Sequence, residues 1–567
     1  MMRWGGPPAD PEELKSFQFG RPIRWLLCLL DDEVIPVRVR DLVAGRVTRA
    51  HPNARAEWLT VPNAAAYKVT LRKGGVEVDQ GHRAQALRRQ LKDLAKTAGG
   101  KVVDPGDKLL DQTVLSLEKP TAFLGAFDAD FLALPRAVLE AAMVKAQEYF
   151  PVEDASGKLL PHFIGVRDGG RTGIDTVRKN AEWVLRAKLI DARFFYDRDR
   201  QHNLAHFVQR TRGIVFMADR GSLFDKQERL ARILESWDWL PEAEKRVAVE
   251  AARLCKFDRA TQLVAEYPAL QGVLGAEYLR RWKHDPAVAD AVARQYDPPL
   301  TDDGRLSAAA LLALADKLDT LVNAFAAGHE PTGSADPYGL RREATTVMRL
   351  LAQSPAAPAL STNQGLGVVL AANGLDSNDA LRMKMRDLIA ERLRFVLRTD
   401  PPDGLGLPHD LAEAVLRADA ESPSHAGLPG AERPWRTFAR GRALPKLRKQ
   451  KDFEAVAFAA TRCANILPKD IKSSDLPEPT GNDAHRALHT ALNWLLHAGR
   501  LDLMVERGRF EELYDALRGE LVPAVNAFFE AVLVNDPDAS IRAANHALVL
   551  QAYRCFTRLC DFTALEV

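Results

Sequence analysis

The sequence predicts a multidomain, mainly α protein with an α/β region at its N-terminal end. Three observations carry this reading. The chain has 567 residues, more than one hydrophobic core holds. Its opening part is rich in strand signals, and from about Phe194 onward apolar residues recur almost without interruption at helical spacing. The hydrophobic content of 46% and charged content of 27% are those of an ordinary globular protein.

Taken in order, "IRWLLCLLDDEVIPVRVRDL" reads as two apolar strands joined by an acidic turn, and "RVTRAHP" and "YKVTLRKGGVEV" continue the β character. The apolar run "WLLCLL" is cut off by Asp31, Asp32 and Glu33, far short of the roughly 20 residues of a membrane span. Neither a signal peptide nor a transmembrane helix is expected, and the five scattered cysteines fit reduced thiols in a cytoplasmic protein. "GHRAQALRRQLKDLAKTAGG" reads as a helix with a glycine stop. Beyond it, "DKQERLARILESWDWL", "LSAAALLALADKLDTLVNAFAAG" and "DALRMKMRDLIAERLRFVLRTD" each carry one apolar face. Residues 400–434 are rich in Pro, Gly and Ser and read as a hinge or linker around a short helix. The chain is then helical to its end. The expected domains are 1–200, 201–350, 351–435 and 436–567.

No phosphate-loop, nucleophile-elbow, H-E-x-x-H or C-x-x-C pattern occurs in the sequence. "SGKLL" at 156–160 has a Gly-Lys without the rest of a phosphate loop. His202 and His206 share a helix face, as do His485, His489 and His497, but neither set has the further ligands of a metal site. Around "LCKFDRATQLVAEYPALQGVLG" and "ADKLDTL", Asp258 and Asp316 stand where HD-superfamily phosphohydrolases place two metal-binding aspartates. Phe257 replaces the histidine of the doublet, so an HD-like scaffold is expected without hydrolysis, and no metal is expected. In "PTGSADPYGLRR", Asp336 is expected to cap a helix, Pro337 to take its first position, and Arg341 and Arg342 to follow one turn in. Such a start attracts anions.

The strongest chemical signal is basic. Arg436, Arg440, Arg442, Lys446, Arg448, Lys449 and Lys451 follow one another with no acidic residue before Asp452, and the next helix carries Arg462 and Asn465, with Lys469 beyond it. A net charge of only +2 makes this a local patch rather than part of a global field. Such a patch neutralises phosphates, and its helix presents Arg and Asn to unpaired bases.

These blocks, in this order, resemble the β subunit of bacterial heterotetrameric (α2β2) glycyl-tRNA synthetases. The similarity includes "MRWG", "FQFGRPIRWLLCLLDDEVIPV", "QEYFPVEDASGKLLPHFIGV", "VLRAKLIDARFFYDRDR", "GSLFDKQERL", "DFEAVAFAATRCANIL" and "FFEAVLVNDPDASIRAANHALVL". His51 stands where the family has the histidine of a Gly-His-Arg-Phe block, and the similarity starts well inside the family's N-terminal region, so the resemblance implies that the family's upstream segment is missing, truncated or encoded elsewhere. The resemblance implies an N-terminal B3/4-like α/β module, an HD-like helical domain, a linker region and a C-terminal helical anticodon-binding bundle. It also implies tRNA(Gly) and an α subunit as partners, with neither membrane nor DNA. Glycine, ATP and Mg2+ would then bind the α subunit, with no cofactor in this chain. The basic residues, together with Arg542, become candidate tRNA contacts. Arg341 and Arg342 become candidate contacts for tRNA or the α subunit. The alternatives are a truncated or repurposed non-catalytic RNA-binding protein and, below it, an HD-type metal-dependent phosphohydrolase.

Overall fold

A computed structural model of the chain describes residues 23–39, 42–54, 57–299, 305–333, 335–354, 362–401, 404–423, 428–468, 471, 475–479 and 482–566. The chain forms two compact units, one running up to His202 and taking in Gln262–Leu270, the other comprising Asn203–Thr261 and everything from Gln271 onward. Each is built differently.

The first unit holds the strands. Leu29–Leu30 pairs antiparallel with Glu33–Val34 around the acidic turn, where Asp31 adopts a φ of 50°. Val47–Arg49 pairs with Trp58–Thr60. "YKVTLRK" departs from its expected β character, because Tyr67–Lys73 is a helix. Asn63 accepts a hydrogen bond from the Ala66 amide at 2.9 Å and starts a three-alanine turn that feeds straight into it. Cap and alanines together outweigh the β preference of Val69 and Thr70.

The larger sheet contains β1 (Lys101–Val102), β2 (Pro120–Ala126), β3 (Phe150–Glu153) and β4 (Leu159–Asp168), in the order β1-β3-β4-β2 and antiparallel throughout. Helices α1 (Gln80–Thr97) and α2 (Lys108–Ser116) bring Leu87, Leu91, Leu110 and Val114 against Phe150, Val152 and Ile164. A third, α3 (Ile174–Asp199), packs on β2 and ends at the buried Asp199, whose carboxylate accepts the amides of Gln262 and Leu263 at 2.9 and 3.0 Å. That carboxylate ties the inserted Gln262–Leu270 segment to this unit. "SGKLL" is the β3–β4 hairpin, with Gly157 at a φ of 83° and Asp154 accepting the amides of Ser156 and Lys158. Its Gly-Lys serves a turn.

The second unit is a succession of helices. It comprises α4 (Leu223–Glu235), α5 (Glu242–Leu254), α6 (Ala308–Ala326), α7 (Leu340–Gln353), α8 (Asp379–Arg398) and α9 (His409–Leu416). It continues with α10 (Pro434–Leu447), α11 (Phe453–Ile466), α12 (Asp483–Leu496), α13 (Val522–Ala531) and α14 (Ala539–Thr557). Ser222 starts α4 with a reciprocal capping box to Asp225. Helix α6 is buried along nearly all its length among α4, α5, α7 and α8. The short helix expected within residues 400–434 is α9, buried from Asp410 to Leu416. Among the described residues no helix is long and apolar enough to cross a membrane.

Within the sheet, Phe163 on β4 faces Gly125 on β2, and Phe123 on β2 faces Gly165 on β4. Each ring covers the opposite glycine so closely that an added Cβ would collide with it. Gly165→Ala is therefore expected to lower the stability of this unit by about 1–3 kcal/mol, the usual effect of overpacking. Denaturant titration of the single variant against Gly165→Ala combined with Phe123→Leu checks this, since the smaller partner should restore part of the loss.

Candidate nucleic-acid interface

The basic segment becomes α10 because Pro434 suits the first helical turn and Phe438, Leu444 and Leu447 are buried along it. Its cations divide by direction. Arg440 points inward with no exposed side-chain surface; Nη2 donates to Asp419 at 2.7 Å and Nε to the Arg558 carbonyl at 3.1 Å, while the guanidinium lies 5.2 Å from the Phe510 ring. Arg436 is half-buried 3.5 Å from Glu506, and its burial lowers the guanidinium pKa. Arg448 donates to Asp410 at 2.7 Å and to the carbonyl of Glu566. These three hold the bundle together.

The other four face solvent. Arg442 lies 5.0 Å from the Phe438 ring, and Lys446 stands 3.9 Å from the exposed Glu511. Lys449 and Lys451 are exposed and make no ion pair among the described residues. On α11, Arg462 is half-buried with its guanidinium 4.3 Å from the Phe529 ring, and Asn465 is exposed. Arg542 is engaged by its own turn, donating to the carbonyls of Asp536 and Pro537 at 2.6 and 3.2 Å. Lys469 lies outside the described residues. The structure thus leaves Arg442 and Lys446 exposed on α10 and Lys449 and Lys451 exposed in the turn that follows it, and takes Arg440 out of reach of a ligand. Sequence reasoning passed over Phe458 on α11, which is 66% exposed. It falls off the apolar face formed by Phe453, Val456, Ala457, Ala460 and Cys463, a departure that helical periodicity makes visible.

The start of α7 is closed to anions. Asp336 supplies the expected capping carboxylate, accepting the amides of Leu340 and Arg341 at 2.7 and 3.0 Å. Pro337 sits in the preceding turn rather than in the helix, which begins after Gly339 at a φ of 65°. Arg341 is half-buried; Arg342 is exposed, 3.9 Å from Glu343.

The two aspartates at HD-type positions do not form a metal site. Both oxygens of Asp316 are engaged, one by Lys226 at 2.9 Å and the other by Lys256 at 2.7 Å. Burial opposes its ionisation, but the two ammonium groups outweigh burial and hold its carboxyl well below the usual range. Burial likewise opposes the charge on Lys256, yet Asp316 keeps that ammonium protonated well above the usual lysine range. Asp258 is fully buried, accepts the Gly272 amide at 2.5 Å, and is pushed up by burial. Phe257 packs among Phe207 and Trp282. At Asp316, lysines occupy the coordination that a cation would need.

Among the described residues the one close grouping of potential metal ligands is His51, Glu118 and Asp168. The Nδ1 of His51 accepts the Asn53 amide at 3.1 Å, which leaves the proton on Nε2, 3.2 Å from Asp168. A metal at Nε2 would require that proton on Nδ1, against the amide. The residues fit a packed histidine rather than a metal ligand.

These features define a class: a helical multidomain protein in which Asp316 is engaged by the chain's own lysines and Asp258 by a backbone amide, and whose solvent-facing cations gather on α10 and in the turn after it. Residues 1–417 match the family model described as glycyl-tRNA synthetase beta subunit. The chain is 31% identical to the glycine–tRNA ligase beta subunit of Clostridioides difficile, covering 100% of this chain and 78% of that protein. Its identity to the beta subunits of Nitratidesulfovibrio vulgaris and Trichlorobacter lovleyi is 34% and 32%, again over 100% of this chain and over 79% and 78% of theirs. The chain belongs to the glycyl-tRNA synthetase beta subunit family. It is thus one subunit of an aminoacyl-tRNA ligase, and the family's name implies a partner subunit. Similarity to these relatives continues past residue 417 through α10 to α14.

The opposed environments of the two aspartates give a test. Asp316→Asn is expected to lower stability at neutral pH by about 3–5 kcal/mol, because it leaves the buried Lys256 ammonium without a carboxylate and takes from Lys226 one of the two it shares with Asp319. Asp258→Asn should change it by less than about 1 kcal/mol or raise it, since a carboxyl whose pKa is raised in the fold loses its stabilising contribution as pH climbs through that value. Asp316 works in the other sense, contributing above the ordinary carboxylate range and losing that contribution as pH falls below it. Thermal melts of both variants, with and without Mn2+, check this; the metal should shift neither the native chain nor the variants.

Proposed function

We propose that this chain is the tRNA-gripping β subunit of an α2β2 glycine–tRNA ligase, holding tRNA(Gly) for ATP-dependent glycine attachment at the α subunit. On this reading the sheet-bearing unit is the B3/4-like module. The helices around α6 are the HD-like domain, and α10 to α14 form the anticodon-binding bundle. Glycine, ATP and Mg2+ belong to the α subunit, and the complex works in the cytoplasm.

The observation that carries the reading is the run of exposed cations Arg442, Lys446, Lys449 and Lys451 on a chain whose net charge is only +2. Lysines without acidic partners are suited to phosphates, because binding releases condensed counterions. Gripping the anticodon arm leaves the acceptor end to be placed over a distant active site. The chain then contributes to rate through orientation and effective concentration rather than by supplying reacting groups.

Glycine attachment is expected only when this chain and the α subunit are mixed, and from neither alone. Reversing charge with Lys449→Glu and Lys451→Glu should raise KM for tRNA(Gly) and reduce the salt slope of tRNA binding by roughly 0.7 per cation removed. Arg440→Ala should instead lower the melting temperature of the bundle. Unchanged KM and salt slope in the charge-reversed variant would remove the anticodon bundle from this role. An inactive mixture that still binds tRNA would point to a repurposed RNA-binding protein.

A further inference from the structure

Beyond these exposed cations lies a groove that the basic residues do not explain. It runs between α11 and the Phe562–Ala564 turn, with a volume of about 530 Å³. Phe458 forms its exposed wall, Phe562 and Leu565 the opposite one, and Glu454 and Thr461 its polar rim. Positions 454, 458, 461 and 465 share one helix face, so Glu454, Phe458, Thr461 and Asn465 form a stripe along α11. We propose that this groove receives an unpaired cytosine of the tRNA(Gly) anticodon, stacked on Phe458 and read at its edge by Glu454. The proposal rests on the anticodon-binding reading of the bundle and names the subsite within it.

Shape and charge select this occupant. A partner helix or strand would need apolar anchors repeated along the groove, but Phe458 is the exposed aromatic residue of this stripe and its neighbours are polar. One flat ring with a polar rim suits a base, whose faces are apolar and whose edges carry donors and acceptors. Cations stand toward both ends. Arg448 reaches the carbonyl of Glu566, next to Leu565 in the wall, and Lys449 and Lys451 follow it in the chain immediately before α11. Arg462 lies one helical turn beyond Phe458. An aromatic platform with cations about it is the usual construction for single-stranded nucleic acid.

The edge chemistry favours cytosine. Glu454 is exposed and makes no ion pair among the described residues, and an ionised carboxylate only accepts hydrogen bonds. Cytosine offers the N4 amino group as a donor, where uracil presents an oxygen that the carboxylate repels. All glycine codons begin with two guanosines, so cytosines fill the second and third positions of every glycine anticodon. An acceptor at the rim therefore meets a donor whichever glycine tRNA is bound.

The test uses the assembled complex, with glycylation kinetics on tRNA(Gly) and on transcripts carrying uridine at each of those two positions. Phe458→Ala should raise KM for tRNA about ten-fold with kcat little changed, the scale expected for one lost base stack. Phe458→Trp should retain most of the affinity. Glu454→Gln should narrow the preference for cytosine over uridine at one position, because its amide can also donate to the uracil oxygen. Phe458 is exposed, so thermal melts should show these variants folded. If Phe458→Ala leaves KM unchanged while the anticodon changes and the Lys449/Lys451 reversal raise it, the groove is not the base site but the bundle still binds the anticodon. If none of the three raises KM, the anticodon-binding reading fails with it. If Phe458→Ala weakens assembly with the α subunit in sedimentation and leaves tRNA binding intact, the groove holds protein, and the proposal is overturned.

Discussion

Asp319 sits on the central helix α6 with no exposed surface, and both its oxygens are fully used. One accepts from Arg229 Nε at 2.9 Å and from the amides of Asn323 and Asn373, each at 3.1 Å; the other accepts from Lys226 and from Arg229 Nη2, each at 3.1 Å. A buried carboxylate is costly unless it is this completely satisfied. Because its donors come from α4, from α6 and from Asn373 just past the helix Thr362–Ala372, that requirement fixes how those elements sit. Lys226 also serves Asp316, which in turn holds Lys256 at the threshold of the turn containing Phe257 and Asp258. A single carboxylate ladder on α6 therefore locates α4 and that turn together. Where a phosphohydrolase would use its aspartates to hold a metal, this chain uses one of them to hold lysines.

Much of the helical architecture was legible in the sequence because amphipathic periodicity and caps are local properties. The acidic hairpin at Asp31 and Asp32, the glycine-stopped α1 and the capping carboxylate of Asp336 all appear where local chemistry puts them. The failure at Tyr67–Lys73 has the same origin: a β-branched pair outvoted by a cap and three alanines. The Asp319 network was not legible. A helix as apolar as α6 announces burial, but the cations that satisfy its aspartates stand about 90 positions away in the chain, a pairing that only the tertiary fold creates.

The candidate interface was half legible, since the run of cations is plain but its division is not visible from composition. Spacing resolves it. Arg436 and Arg440 share a face with Leu444 and Leu447, whereas Arg442 and Lys446 fall at i and i+4 on the opposite side, and Lys449 lies in the turn after the helix. Treating the run as one patch mixed structural arginines with surface lysines. Phe458 escaped for the complementary reason: in an apolar helix an aromatic residue is assumed to be core unless its angular position is checked.

The division also follows the chemistry of the two cations. A guanidinium is planar and less strongly hydrated, so Arg440 can be buried with two of its nitrogens bonded to Asp419 and a carbonyl and its face against the Phe510 ring. An ammonium keeps its water, so Lys446, Lys449 and Lys451 remain at the surface as mobile point charges. The 3.9 Å contact of Lys446 with Glu511 is solvent-exposed and contributes little, which leaves that lysine able to exchange a carboxylate for a phosphate at small cost. With screening acting over about 8–10 Å at physiological salt, these cations work independently of acids elsewhere on the chain. A nearly neutral protein can thus carry one local concentration of cations without a basic field over its whole surface.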